Sequence, residues 1–159
     1  MVDSPRRIGV NRRRMHTGQN PPPEAAPTKV SRFVAGTGFA IDAVSVTSLR
    51  AHAYHGSDHQ TEWGTVRGGV YASLVECAGG AGAGRAVADR GQIAVGVRNG
   101  TDFLRVSSGG HVDIAAEALF QGRGQQLWDV VITQSETEEV LARGQLRPQN
   151  IPRPTTPPP

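Results

Sequence analysis

The chain has 159 residues, of which 37% are hydrophobic, 19% charged and 5% aromatic, so it can close one core built on Val, Ala, Leu and Ile rather than on stacked rings. Its net charge of +3 is local: residues 1–30 hold six basic residues against Asp3 and Glu24, while the remainder holds eleven basic against twelve acidic. The body therefore lacks a basic stripe for nucleic acid, no run of about 18 apolar residues is present to cross a membrane as a helix, and the single Cys77 excludes an internal disulfide or a cysteine-built zinc site.

Residues 1–30 are rich in Arg and Pro and are expected to form a disordered tail, as are residues 152–159. No proline falls between residues 28 and 147, so the middle can hold long unbroken elements. Arg6-Arg7 and Arg12-Arg13-Arg14 are followed by Gly18 to Pro23 instead of an apolar stretch. They do not read as an export signal, and a cytoplasmic protein is expected. A solvated arm is favoured over one that touches polyanions.

The expected domain spans residues 31–151. It opens with short apolar groups at Phe33, Val34, Phe39, Ile41, Val44 and Val46. Leu49, Ala51 and Ala53 then alternate with Arg50, His52 and Tyr54, which is the period of a strand. Gly56-Ser57-Asp58 is a turn. Residues 68–84 carry one charged residue, Glu76, and predict a helix buried on nearly all sides. At about 100° per residue, Gly69, Ala72, Ser73, Gly79, Gly80 and Ala83 share the face of Glu76, while Val70, Tyr71, Leu74, Ala78 and Ala81 lie opposite. Small residues around a lone carboxylate would let another backbone come close. Strand patterns follow around Val95, Ile114, Val130 and Leu141, divided by Ser107-to-Gly110, Gln121-to-Gly124 and Ser135-to-Glu138. They predict an antiparallel meander, and the whole predicts an α+β layer.

The segment Gly64-Thr65-Val66-Arg67-Gly68-Gly69, with Glu76 eight residues beyond Gly68, resembles the signature of PaaI-like hotdog-fold acyl-CoA thioesterases. Asn99-to-Arg105, Gln121-to-Gly124 and Val140-to-Gly144 resemble later segments of that family in the same order. The resemblance runs from about Phe39 to Asn150. It implies an antiparallel sheet wrapped around one long helix, and a homo-oligomer, either a dimer or a dimer of dimers. Three positions depart from the family pattern: Arg67 stands where His is common, Thr61 where Asn or Gln is common, and Gly80 where some relatives have a hydroxyl.

The residues suit thioester hydrolysis. Gly68 and Gly69 open the helix, where amides have no internal partner and can bind a developing oxyanion. Glu76 can act as general base or as nucleophile. About 12 Å of helix rise separates Gly68 from Glu76, so one helix does not present both to one carbonyl, whereas two antiparallel helices do. Ser73, Gln60 and Thr61 are expected as polar support. Arg105 and Arg123 are candidates for the phosphates of coenzyme A, and Arg67 for an acidic group. Coenzyme A enters only as part of the substrate. His52, His55, His59 and His111 lack metal-ligand spacing, and neither metal nor redox cofactor is expected. The alternative is a non-catalytic acyl-CoA-binding or regulatory module, with Glu76 serving assembly.

Overall fold

The structure, a computed structural model, describes residues 31–155. The tail expected over residues 1–30 and the last four residues lie outside the described residues. In chain order the elements are α1 (Arg32–Gly36), β1 (Ala40–Val44), β2 (Ser48–His55), α2 (Gly68–Val87), β3 (Gln92–Phe103), β4 (Gly110–Gln121), β5 (Gln126–Gln134) and β6 (Val140–Pro152). Single turns of 3-10 helix at Ser57–His59 and Ala88–Arg90 lie on either side of α2.

The six strands form one antiparallel sheet in the order β1-β2-β4-β5-β6-β3. Alternation decides which side faces the helix. Leu49, Ala51 and Ala53 of β2, Val112, Ile114 and Ala116 of β4, and Trp128, Val130 and Ile132 of β5 are all buried. Their neighbours in sequence, such as Arg50, Asp113 and Glu117, point outward and are exposed. The buried set meets Tyr71, Leu74, Val75 and Ala78 of α2 in one core. This is the α+β sheet around one helix that the sequence leads one to expect.

Two expectations are corrected. The last four strands do not form one meander: β4, β5 and β6 do, but β3 pairs with β6, from Gln92 opposite Pro152 to Phe103 opposite Ala142. The loop after β3 is pinned back on β6, where the amides of Leu104 and Arg105 both donate to the Leu141 carbonyl, at 2.8 and 3.1 Å. Strand β3 is therefore an edge. Strand β6 also extends to Pro152, one residue past the expected boundary.

The second correction concerns α2. Gly79 and Ala83, which helix spacing places on the side of Glu76, are not open to a second helix; they are buried in the chain's own fold. A methyl group on Gly79 would stand 2.9 Å from Leu146 Cβ, and one on Gly82 would stand 2.6 Å from the Trp128 ring. Those glycines let the helix approach its own sheet, not a second helix. In the first half of α2 the side that carries Gly69 and Glu76 is exposed, whereas Ala83 and Val87, further along that side, are covered.

His55 closes the inward row of β2 and is 1% exposed. Its ring lies 4.9 Å from that of His59 and 5.8 Å from that of Tyr71, and neither of its nitrogens has a hydrogen-bond partner among the described residues. Burial, then the neighbouring His59, lowers its pKa from 6.5 to about 4. The unfolded chain binds this proton more readily, so the stability that neutral His55 contributes is complete above pH 6.5 and drains away as pH falls toward 4. By about pH 5 the loss is on the order of 2 kcal/mol. Urea unfolding between pH 7 and 5 should show this drop in the native chain. It should show a distinctly smaller one in His55→Leu, which cannot titrate.

Candidate active site

The start of α2 is held by the segment before it. The Arg67 amide donates to His59 O at 2.9 Å, the Val66 amide to Ser107 O at 2.8 Å and the Thr61 amide to Thr65 O at 2.7 Å. Arg67 is the N-cap residue, in extended conformation, and its side chain makes no cap hydrogen bond. The first helix-closing bond to it comes from the Val70 amide, at 3.0 Å. The Gly68 and Gly69 amides have no acceptor among the described residues, which leaves two donors at the positive end of a 20-residue helix.

The two glycines differ. A methyl group on Gly68 would stand 2.8 Å from the ring of Phe103, which lies across that position; one on Gly69 would meet nothing within 4 Å. Gly68 is small because Phe103 packs on it, and Gly69 is the one that faces open space. Gln60, Thr61 and Arg67 surround the same helix end, but their side chains are engaged locally. The Gln60 amide donates to Ser108 O. The Thr61 and Thr65 hydroxyls are paired at 2.9 Å. Arg67 Nε donates to Gln60 O at 3.1 Å, with Glu62 at 3.8 Å from its guanidinium.

Glu76 sits about two turns further along, with Ser73 one turn before it. The Ser73 hydroxyl donates to Gly69 O at 2.7 Å. Ser73, Glu76, Cys77 and Gly80 line an open cavity of about 300 Å³. Burial and the adjacent Glu76 both raise the pKa of the Cys77 thiol, so Cys77 is held protonated. Within one chain, then, Gly68 and Gly69 gather with Gln60, Thr61 and Arg67, and Glu76 gathers with Ser73. The two groups are not brought together.

The other arginine candidates are separate again. Arg105 is tied to the start of β6, with Nη1 donating to Val140 O at 2.8 Å and Glu139 at 3.6 Å from Nε. Arg123 is exposed on the β4–β5 hairpin. That hairpin is fixed from below by Asn150, whose side-chain amide donates to Gly122 O and Arg123 O at 3.1 and 3.3 Å. Among the described residues no group of His, Cys, Asp or Glu has metal-site geometry. No helix there is long and apolar enough to cross a membrane.

Two contributors are not evident in the sequence. Helix α1 supplies Phe33 and Val34 to the cavity beside Glu76. At five residues it is too short for periodicity, and its one signal is Ser31, whose hydroxyl accepts from the Val34 amide at 3.2 Å. His59 is the other. Its Nε2 lies 2.8 Å from Gly36 O and its Nδ1 accepts from the Gly56 amide at 3.1 Å, so it clips α1 to the segment before α2. A carbonyl on one side and an amide on the other define the tautomer, with the proton on Nε2.

One antiparallel sheet curled around one long helix, with free amides at the helix start and a carboxylate on its open face, defines a hotdog-fold protein. Residues 64–141 match the thioesterase superfamily model. The Rv1847 protein of Mycobacterium tuberculosis, which carries a provisional esterase name, is 46% identical over 90 residues; the match covers 55% of this chain and 64% of that relative. Its solved structure superposes with a TM-score of 0.74 at 38% identity, over 78% of this chain and 100% of that one. The AziG protein of S. sahachiroi gives a TM-score of 0.74 at 28% identity, over 79% and 100% of the two chains. A thioesterase of Haemophilus influenzae shares the fold, with a TM-score of 0.70 at 23% identity over 76% and 82%. The chain belongs to the thioesterase superfamily.

The unequal surroundings of the two glycines yield a stability test. Gly68→Ala should cost about 1 kcal/mol by displacing the Phe103 ring, and most of that cost should vanish in a Phe103→Ala background. Gly69→Ala should leave stability unchanged or raise it by up to about 1 kcal/mol, since alanine is the better helix former and finds room there. Urea midpoints of the four variants check both expectations.

Proposed function

We propose that this protein hydrolyses acyl-CoA thioesters at a site shared by two copies of the chain. One observation carries the reading. The exposed carboxylate of Glu76 stands on the uncovered face of α2, two turns from the free amides of Gly68 and Gly69 on the same helix. Each chain has both halves of a hydrolytic site and cannot close them on one another.

Strand β3 supports the assembly. It is a 12-residue edge strand with Val95 and Val97 at 41% and 49% exposure. An uncovered strand of that length is a template for pairing with a second copy. Two β3 edges paired about a two-fold axis would run two α2 helices antiparallel. Gly69 of one subunit would then approach Glu76 of the other.

At such a site the thioester carbonyl oxygen accepts from the glycine amides, which stabilise the charge that develops on it. Glu76 takes a proton from water as the water oxygen attacks the carbonyl carbon. The C–S bond then breaks, the acid leaves, and the thiolate of coenzyme A recovers the proton. In the nucleophilic variant Glu76 attacks first, and water cleaves the resulting anhydride. Arg105 and Arg123 are assigned to the phosphates of the coenzyme and Arg67 to an acidic group near the helix start. Membership of the superfamily and the provisional esterase name of the mycobacterial relative support hydrolysis as the class of reaction.

Glu76→Gln should lower kcat on an acyl-CoA panel by roughly 10²–10⁴-fold with the dimer retained in sedimentation. Gly69→Val should do the same by blocking the carbonyl. Subunits of these two inactive variants, unfolded and refolded together, should regain about a quarter of native activity, because each mixed dimer rebuilds one intact site. No recovery would mean that the site lies within one chain. Tight acyl-CoA binding without turnover by the native protein would favour the non-catalytic reading.

A further inference from the structure

From the groove beside Glu76 we infer that helix α1 is the specificity element of this site: Phe33 and Val34 limit how long an apolar acyl group can be. The inference rests on the reading that Glu76 faces a bound thioester, and it goes beyond it by naming what sits at the acyl end.

The cavity beside Glu76 measures about 300 Å³. Glu76 is the one charged residue that lines it; Phe33 and Val34 of α1, Ala94 and Gly96 of β3, and Leu146 of β6 make apolar walls. An apolar acyl group finds contact along these walls. A long chain would meet α1.

Nothing about α1 suggests a loose flap. Thr37, 6% exposed, follows it and returns a hydroxyl hydrogen bond to Val34 O at 2.7 Å. His59 holds Gly36 O from the far side. At Gly38, φ is +71°, and a methyl group there would stand 2.8 Å from Tyr54 O, so the chain turns tightly onto β2. The helix is thus fastened at its C-terminal end while Phe33, 67% exposed, and the half-buried Val34 extend to the cavity. A short element fixed at its base, with two apolar side chains at the acyl end, has the geometry of a chain-length stop. It also precedes the segment that matches the superfamily model, so this wall is set by residues outside the shared region.

The test is an acyl ladder: butanoyl-, hexanoyl-, benzoyl-, phenylacetyl-, decanoyl- and dodecanoyl-CoA. The native protein should prefer the hexanoyl and aryl members. Phe33→Ala should raise the ratio of kcat/KM for dodecanoyl over hexanoyl at least about tenfold, and Val34→Trp should lower it comparably. Leu119→Ala, an exposed apolar change on β4, should leave the ratio where it was. An unchanged ladder in both α1 variants, with turnover intact, would overturn the assignment of α1 and leave the thioesterase reading standing. The same ladder titrated into Glu76→Gln protein by calorimetry separates the other failure. Absence of turnover throughout, with chain-length-dependent binding that moves with Phe33→Ala, would sink hydrolysis and keep α1 as the acyl stop. Absence of both turnover and such binding would overturn both.

Discussion

Everything in this fold depends on how closely α2 can lie against its own sheet. Gly79 and Gly82 remove the methyl groups that would collide with Leu146 and Trp128, and those two side chains fill the space. The contact is reinforced by a buried polar cluster. Trp128 Nε1 donates to Gln126 Oε1 at 2.9 Å, and Gln126 Nε2 donates to Ala83 O and Asn150 Oδ1 at 3.1 and 2.8 Å. A buried network of this kind is tolerable only when its members are satisfied, and these hydrogen bonds join helix, β5 and β6 in one register. Glycine is a poor helix former, so the residues that permit the approach also weaken the helix in isolation. Packing against the sheet is what makes α2 a helix.

That approach determines which face is left over. The large side chains turn inward together with Gly79 and Gly82, so Gly69 and Glu76 are left outward. A carboxylate on a face with no covering layer is well solvated in a single chain. It becomes chemically interesting only when something is brought over it. The helix start obeys the same logic. Its amides are free because Arg67 caps nothing, and because Gln60, Thr61 and Arg67 itself are engaged in holding the preceding loop in place. Those hydrogen bonds hold the loop, and with it the two free amides, in one arrangement.

Much of the architecture is legible in the residues. The alternation in Leu49-to-Tyr54 and in Val112-to-Glu117 reports inward and outward positions that the sheet reproduces, since strand side chains alternate with a period of two. The run from Gly68, with Glu76 its one charge, forms the helix it predicts, three residues longer than expected, to Val87. The place of β3 is not legible, because its own pattern fits an edge or an interior strand equally well. Its partner is settled by the Leu104 and Arg105 amides folding back onto Leu141. Nor is it visible which glycines face the sheet: Gly79 and Gly80 are neighbours, yet only the first lies against the core, and the angular reading placed both beside Glu76.

The sequence by itself determined the strand faces, the one long helix, the motif of paired glycines followed by a lone acid, and the family resemblance they carry. Those are properties of local spacing, and local spacing survives without knowledge of what packs where. Only the tertiary structure decided that Phe103 lies over Gly68 while Gly69 stays open, that α1 forms the wall beside Glu76, and that β3 is an edge. Each of those depends on contacts between segments far apart in the chain, and the positions of such segments follow from the shape of the whole core rather than from any one stretch of residues.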